Sequence, residues 1–156
     1  MNPKPATAEA QTPPSGQNFH DSRSSLDPQV VRSVLAEVDE AALVADCCDV
    51  INIPSPTGDE LQMAAHMRRL FEALHLEVTW QEVEDGRANV IGRWVGHGSG
   101  ANLMFNGHMD TSNTGGEPFL TGIGYKPHAQ VRDGVIYGLG IYNMKGALIC
   151  YVHAVR

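Results

Sequence analysis

Two hydrophobic periods follow each other between residues 61 and 81, and this change constrains the fold more than any other feature. Apolar residues first recur at the spacing of one helix face, at Leu61, Ala64, Ala65, Leu70, Phe71 and Leu74. From Leu76 onwards apolar and polar residues alternate, which is typical of a half-buried strand. Because the apolar helix face has to pack on something, the pattern predicts helices layered on a sheet.

Neighbouring segments extend this pattern on both sides. Asp27 and Pro28 suit the cap and first position of a helix at "LDPQVV", and helical character continues through "DEAALVADCCDVINI". Thr57 and Glu60 have the Thr-x-x-Glu spacing of a capping box, which predicts that they open the helix at Leu61.

Three later segments are typical of β-structure. "ANVIGRWVG" predicts a strand, and the apolar run inside "ANLMFNG", residues 101–107, predicts a strand covered on both faces. Asp133 and Gly134 lie between two short β-rich runs and predict a hairpin. We therefore expect an α/β fold in which helices pack on a mixed, mostly parallel sheet.

The final segment has the most regular pattern. One continuous apolar stripe of a helix is formed by Met144, Ala147, Leu148, Tyr151, Val152 and Val155. Asn143 comes directly before the stripe, where Asn is among the best helix N-caps. No Gly, Asn or Pro stop signal follows Val155, so we expect a helix, and with it a domain, that is cut short at its C-terminal end.

Composition limits the domain organisation and the function. Residues 1–26 are rich in Pro, Ala, Ser, Thr and Gln and predict a disordered leader, so that residues 27–156 would form the folded part. A formal charge of −7 disfavours binding to nucleic acid or to an anionic membrane. The chain has an odd number of cysteines, no Cys-x-x-Cys spacing and no signal-peptide core, so we expect a soluble, cytoplasmic protein.

The stretch "FNGHMDTSN" carries a candidate metal-binding pair. His108 and Asp110 follow the predicted strand at the edge where open α/β sheets bind ligands, and two residues of separation place them on one side of an extended chain. A neutral imidazole is a good zinc ligand, and a nearby carboxylate can orient it. In the alternative, the ring of His108 forms hydrogen bonds with backbone groups in a tight turn, and Asp110 caps the following loop.

The stretch "YGLGIYNMKG", residues 137–146, is open to a different interpretation. Its Gly138 and Gly140 resemble the start of a dinucleotide fingerprint, but Asn143 stands where the third glycine is expected. A nucleotide-binding α/β domain is therefore a rival hypothesis. Stabilisation of the protein by a dinucleotide but not by zinc would favour it.

Taken in order, "GHMDT", a hairpin "DGVIYG" and Gly-x-Gly-x-x-Asn-Met-Lys-Gly opening a helix resemble the zinc-dependent aminoacylase and carboxypeptidase family. This family includes acetylornithine deacetylase, succinyl-diaminopimelate desuccinylase and aminopeptidase-type metallohydrolases. The stretches "IPSPTGDE" and "GRANVIGRW" are similar to the same family, so the resemblance covers residues 30–156. It implies the N-terminal part of a zinc-peptidase-like catalytic domain.

The resemblance also implies roles for single residues. His108 matches a zinc ligand, and Asp110 matches the catalytic-site acid that supports this ligand from behind. Asn143 falls where the family usually has an aspartate that bridges two zinc ions, and here it would bind metal through its amide oxygen. A neutral amide offsets the repulsion between two cations less well than a carboxylate, so we expect one metal, or a second held weakly. The family's general-base glutamate and its remaining ligands cannot be assigned to residues of this chain.

The function implied is that of a metal-dependent hydrolase, zinc-loaded or cobalt-loaded, that cleaves an amide bond of an N-acyl amino acid or a small peptide. Partners would be this small-molecule substrate and, for a longer form with the family's second domain, a second copy in a homodimer. The alternative is a non-catalytic fragment or pseudoenzyme that acts as a binding or interaction protein. Metal-stimulated turnover that is lost in His108→Ala would separate the two.

Overall fold

A computed structural model describes residues 27–98 and 100–156, so the predicted leader, residues 1–26, lies outside the described part. The chain divides into two compact units, the first ending at Leu35 and the second running from Ala36 to Arg156. The first contains α1 (Pro28–Ala36) almost entirely. Asp27 caps this helix as predicted, since its Oδ1 accepts a hydrogen bond from the Gln29 amide at 2.8 Å.

Three helices build the core of the second unit: α2 (Glu40–Ile51), α3 (Leu61–Ala73) and α4 (Gly146–Val155). Asp39 caps α2 by accepting a hydrogen bond from the Ala42 amide at 3.0 Å. Buried side chains from all three helices form one cluster, namely Cys47, Val50, Met63, Met67, Leu148, Ile149 and Val152. The predicted helical stripe is thus confirmed within α4, whereas its first member, Met144, lies in the irregular turn before the helix. Ile149 from beside the stripe is also fully buried.

Two hairpins supply the strands. β1 (Glu77–Glu84) pairs antiparallel with β2 (Arg87–Arg93), and α3 packs on this pair. β3 (Gln130–Arg132) pairs antiparallel with β4 (Val135–Tyr137). This pairing confirms the predicted hairpin, and Asp133 and Gly134 join the strands at positive φ values of 52° and 75°.

The α/β class is confirmed, but the mostly parallel sheet is not formed within the described residues. Both two-stranded sheets are antiparallel, and the parallel pairing found there is an isolated bridge between Pro56 and Thr111. The predicted strand in residues 101–106 is coil instead, and Leu103 and Met104 are 80% and 83% exposed. The reason is physical: within the described chain no neighbouring strand pairs with its backbone.

The predicted capping box is wrong as well. Glu60 is the cap residue of α3, but neither its side chain nor that of Thr57 caps the first turn. Glu60 is 5% exposed and binds Arg87 of β2 through two hydrogen bonds, of 2.8 and 3.0 Å, and its Oε1 also accepts the Gly58 amide. The tertiary partners compete successfully with the local cap, because a guanidinium and a carboxylate form a strong two-point hydrogen bond.

Among the helices of the described residues, none has both the length and the apolar character needed to cross a bilayer.

The Glu60–Arg87 pair predicts a pH-dependent stability. Burial raises the pKa of Glu60, but its hydrogen bonds to Arg87 and Gly58 outweigh burial and hold that pKa below its ordinary value of 4.5. The stabilisation is therefore fully present above pH 4.5 and is lost as the pH falls through the lower native pKa. At pH 7 we expect Glu60→Gln to lower the free energy of unfolding by about 1–2 kcal/mol, a modest value because solvent screens the partly exposed Arg87.

Urea unfolding between pH 7 and pH 3 measures this effect. The difference between parent and Glu60→Gln should shrink below pH 4.5. The matched control is Glu82→Gln, which changes an exposed side chain of β1 and should leave the unfolding curves unchanged. A Glu60→Gln deficit that stays constant down to pH 3 would contradict the ion-pair interpretation.

Candidate metal centre

His108 and Asp110 form a hydrogen-bonded couple at the start of the loop that follows residue 107. The ring Nδ1 of His108 lies 2.9 Å from Oδ1 of Asp110 and 3.1 Å from the Asp110 carbonyl oxygen. Both side chains are partly exposed, at 45% for His108 and 29% for Asp110. The sequence-based expectation that the two side chains project to one side is met.

Asn143 joins this couple from a distant part of the sequence. Its Oδ1 lies 3.1 Å from Nε2 of His108, across 35 residues of chain. Asn143 is extended, at φ −138° and ψ 95°, inside an irregular turn at Ile141–Lys145, and α4 begins only at Gly146. The interpretation of Asn143 as the N-cap of the last helix is therefore wrong, and its side chain faces His108 instead.

The protons in this arrangement leave two acceptors facing each other. Both groups near Nδ1 of His108 are oxygens of Asp110, so Nδ1 carries the proton and donates it. In the neutral ring Nε2 then presents a lone pair, and the group opposite it is the amide oxygen of Asn143. A cation bound between this ring nitrogen and the amide oxygen would be attracted by both lone pairs.

The separation also suits a shared zinc ion. Two donors that each lie about 2.0–2.1 Å from a tetrahedral zinc ion are about 3.3 Å apart. The observed 3.1 Å is close to this value. Imidazole nitrogen and amide oxygen are both donor types that zinc accepts, so these two groups fit as part of a ligand set.

Two glycines bring the separate segments together. A Cβ on Gly107 would lie 2.6 Å from Cε of Met144 and 2.7 Å from Cδ2 of Leu148. A Cβ on Gly140, which has a φ of 85°, would lie 2.8 Å from Cγ2 of Thr111. A side chain at Gly107 would have to displace the ends of Met144 and Leu148, and one at Gly140 would also be strained by the positive φ, so glycine at both positions favours the close approach of the two segments.

Asp110 has a second partner that the sequence did not reveal. The hydroxyl of Thr57 donates to Oδ2 of Asp110 at 2.5 Å. This hydrogen bond is the main reason that the pKa of the Asp110 carboxyl lies below its ordinary value; the charge and the hydrogen bond of His108 lower it further, and burial opposes them. Asp110 is thus a carboxylate that holds the His108 ring from one oxygen and is itself held at the other.

Lys145 is the second residue that sequence reasoning missed. It is 1% exposed, and its Nζ donates to the carbonyl oxygens of Val50 at 2.9 Å and Ile53 at 2.6 Å. Burial lowers the pKa of Lys145 to about 8. The side chain satisfies carbonyls at the C-terminal end of α2, where a cation is favoured, and so ties the Asn143 turn to that helix. In the sequence, the position of this lysine next to the apolar stripe was the signal that could have indicated its burial.

Two shallow cavities flank the centre. One, of about 310 Å³, is lined by Thr111, Asn113, Tyr125, Leu139 and Asn143 among others, and the second, of about 240 Å³, borders His108, Asp110 and Arg87. Within residues 27–98 and 100–156, no three His, Cys, Asp or Glu side chains come together as a metal-binding group. The described residues therefore supply two donors and one supporting carboxylate.

A family model matches the segment that contains both donors. Residues 104–156 match the model described as Peptidase family M20/M25/M40. This segment begins just before His108 and includes Asn143 and all of α4.

Relatives with established names resemble a longer part of the chain. A succinyl-diaminopimelate desuccinylase of Stenotrophomonas maltophilia is 34% identical over 113 residues, which are 69% of this chain and 27% of that protein. The enzyme of the same name from Corynebacterium glutamicum is 32% identical, over 67% of this chain and 25% of that protein. A probable succinyl-diaminopimelate desuccinylase of Staphylococcus epidermidis is 29% identical, over 78% of this chain and 28% of that protein. The chain thus spans about a quarter of the length of the relatives it matches.

The tautomer of His108 tests the geometry without any metal. We expect long-range ¹H–¹⁵N NMR spectra of the neutral ring to show the proton on Nδ1, because two oxygens of Asp110 face that nitrogen. His97, an exposed residue outside the centre, is the internal control and should show the mixture that is typical of a free imidazole. A His108 proton found on Nε2 would mean that the ring donates to Asn143 and would contradict the facing lone pairs.

Proposed function

Since residues 104–156 are part of a Peptidase family M20/M25/M40 domain, we propose that this chain contributes the first metal-binding half of a metal-dependent hydrolase. The reaction is cleavage of the amide bond of an N-acyl amino acid or a small peptide. One observation carries the proposal: the Nε2 lone pair of His108 and the amide oxygen of Asn143 converge at 3.1 Å, with Asp110 behind the ring.

Zinc is the proposed metal, and cobalt(II) is its substitute in experiments. When bound, such an ion supplies Lewis-acid chemistry to the scissile carbonyl and to the attacking water. His108 would bind the ion through Nε2, and Asn143 through its amide oxygen. Asp110 would keep the proton on Nδ1 and hold the ring in its binding orientation. A catalytic zinc needs three protein ligands, so further residues of the complete protein would complete the set.

The neutral charge of Asn143 favours a centre with one tightly held metal. A carboxylate between two divalent ions offsets their repulsion with a full negative charge. At an effective dielectric constant of about 20, one unit charge at about 4 Å is worth on the order of 4 kcal/mol. Asn143 lacks that charge, so a second ion would be held far more weakly.

The names of the relatives and the cavity beside Asn143 support this substrate class. The three relatives described above are named for the removal of a succinyl group from diaminopimelate, which is the cleavage of an N-acyl amino acid. The cavity of about 310 Å³ matches the lower end of the range for small-molecule sites. An N-acyl amino acid is of that size.

We extend the proposal to fold, assembly and location. In the complete domain, residues 101–106 would pair as a strand of a mostly parallel sheet, which the exposed Leu103 and Met104 and the parallel bridge between Pro56 and Thr111 support. A second domain would allow a homodimer, and the domain would begin at residue 27 after a leader. The three unpaired cysteines suit the cytoplasm.

A non-catalytic binding protein is the second candidate function. It is favoured by the amide at Asn143 and by the two-donor set in the described part of the chain. In this second candidate function, the protein binds the metal but does not catalyse hydrolysis.

Hydrolysis assays separate the two candidates. Purified protein with added zinc or cobalt(II) should release free amine from N-succinyl-diaminopimelate or from N-acetyl amino acids. His108→Ala should reduce the rate at least about a hundredfold, because it removes a metal ligand. His97→Ala, a change in an exposed loop, should leave the rate unchanged. Zinc binding that depends on His108 but brings no turnover would establish the binding protein instead.

The metal content tests the role of Asn143. After zinc loading and dialysis, atomic spectroscopy should find no more than one tightly retained zinc per chain. Asn143→Asp should strengthen zinc binding at least about tenfold, since it adds a negative charge at the ion. Gln62→Glu adds the same charge at an exposed position of α3 and should have no such effect. Two tightly retained zinc ions in the parent protein would contradict the proposal.

A further inference from the structure

The connection between α2 and α3, residues 52–60, contacts both segments of the candidate metal centre. Toward the His108 segment, the Thr111 amide donates to the Ser55 carbonyl at 2.8 Å, and the Thr57 amide donates to the Thr111 carbonyl at 3.1 Å. The buried Ser55 hydroxyl also donates to the Met109 carbonyl at 2.8 Å. The backbone directly after His108, at Met109 and Thr111, is therefore fixed against this connection.

The side chain of Thr57 extends this attachment to the centre itself. Its hydroxyl lies 2.5 Å from Oδ2 of Asp110 and 3.5 Å from the Thr111 carbonyl. A hydroxyl has one proton to donate, and the much shorter contact receives it. The backbone of Thr57 is already held by Thr111, and a β-branched side chain has few rotamers, so the hydroxyl is held in place.

Asp110 needs this second contact to orient His108. Its Oδ1 accepts from Nδ1 of His108, while Oδ2 accepts from Thr57. With both oxygens engaged, the carboxylate cannot turn about its last side-chain torsion without losing a hydrogen bond. If the contact at Oδ2 were lost, the carboxylate could rotate, and the ring of His108 would be held at Nδ1 by the weaker contact with the Asp110 carbonyl alone.

We propose that Thr57 is a positioning residue of the metal centre, whose hydroxyl locks Asp110 and, through it, holds the Nε2 lone pair of His108 toward the ion. The inference rests on the proposed role of His108 as a metal ligand. Thr57 touches neither the metal nor the substrate. It acts through Asp110, since one hydrogen bond joins Thr57 to Asp110 and a second joins Asp110 to the ring of His108.

The test compares the isosteric variant Thr57→Val, which lacks the hydroxyl, with Thr57→Ser, which keeps it. Zinc affinity is measured by isothermal titration calorimetry with the metal alone. Loss of a residue that orients a ligand typically weakens metal binding 10- to 100-fold, and we expect about tenfold for Thr57→Val because its effect passes through Asp110. Thr57→Ser should stay within about twofold of the parent. Thr79→Val is the matched control on the exposed side of β1 and should bind like the parent.

A second readout needs no metal. In ¹H–¹⁵N spectra of Thr57→Val, we expect His108 to gain the tautomer with the proton on Nε2, and Thr57→Ser should restore the Nδ1 proton. A merely structural role of Thr57 would lower stability without changing this tautomer. If Thr57→Val does not fold, as judged by circular dichroism, Thr57→Ala removes the same hydroxyl with less crowding.

The two readouts keep this inference separate from the proposed function. A parent protein that binds no zinc would defeat the proposed function, and the tautomer would still decide the role of Thr57. Thr57→Val with parental zinc affinity and a parental His108 tautomer would overturn the inference. A tautomer change that Thr57→Ser reverses would support it.

Discussion

The hydrogen bonds of the connection between α2 and α3 are the constraint on which the candidate centre depends. On one side this short segment accepts a hydrogen bond from the Thr111 amide and donates the Thr57 hydroxyl to Asp110, and on the other it accepts a hydrogen bond from the Lys145 ammonium. Thr111 lies in the segment that carries His108, and Thr57 contacts that segment through Asp110. Lys145 lies in the segment that carries Asn143. Because both segments are anchored to the same backbone, His108 and Asn143 meet although 35 residues separate them.

The buried position of Lys145 shows what this arrangement costs and why it holds. Burying an ammonium is unfavourable unless it is hydrogen-bonded, and the last carbonyls of a helix are among the few backbone groups with free acceptor capacity. The connection after α2 thus needs a donor, and the turn that contains Asn143 needs an anchor. One side chain meets both needs, and the close approach at Gly140 leaves room for it.

The helices and the hairpin at Asp133 could be predicted because their signals are local. The cap at Asp27, the hairpin at Asp133 and the apolar stripe of the last helix each lie within a few residues of sequence. The errors arose where a distant partner replaced a local one. Glu60 binds Arg87, 27 residues away, instead of capping α3, and the strand expected in residues 101–106 has no partner within the described chain.

The site shows the same division. His108 and Asp110 could be singled out because two residues of spacing brings them together, whereas Thr57 and Lys145 act across 53 and 92 or more residues and leave no periodic signal. Whether His108 and Asn143 bind metal remains a prediction that their convergence supports. The most direct measurement is anomalous diffraction at the zinc edge from zinc-soaked crystals. One anomalous peak about 2.0–2.2 Å from both His108 Nε2 and Asn143 Oδ1 is expected, and zinc bound elsewhere, with these two atoms free of it, would contradict the shared site.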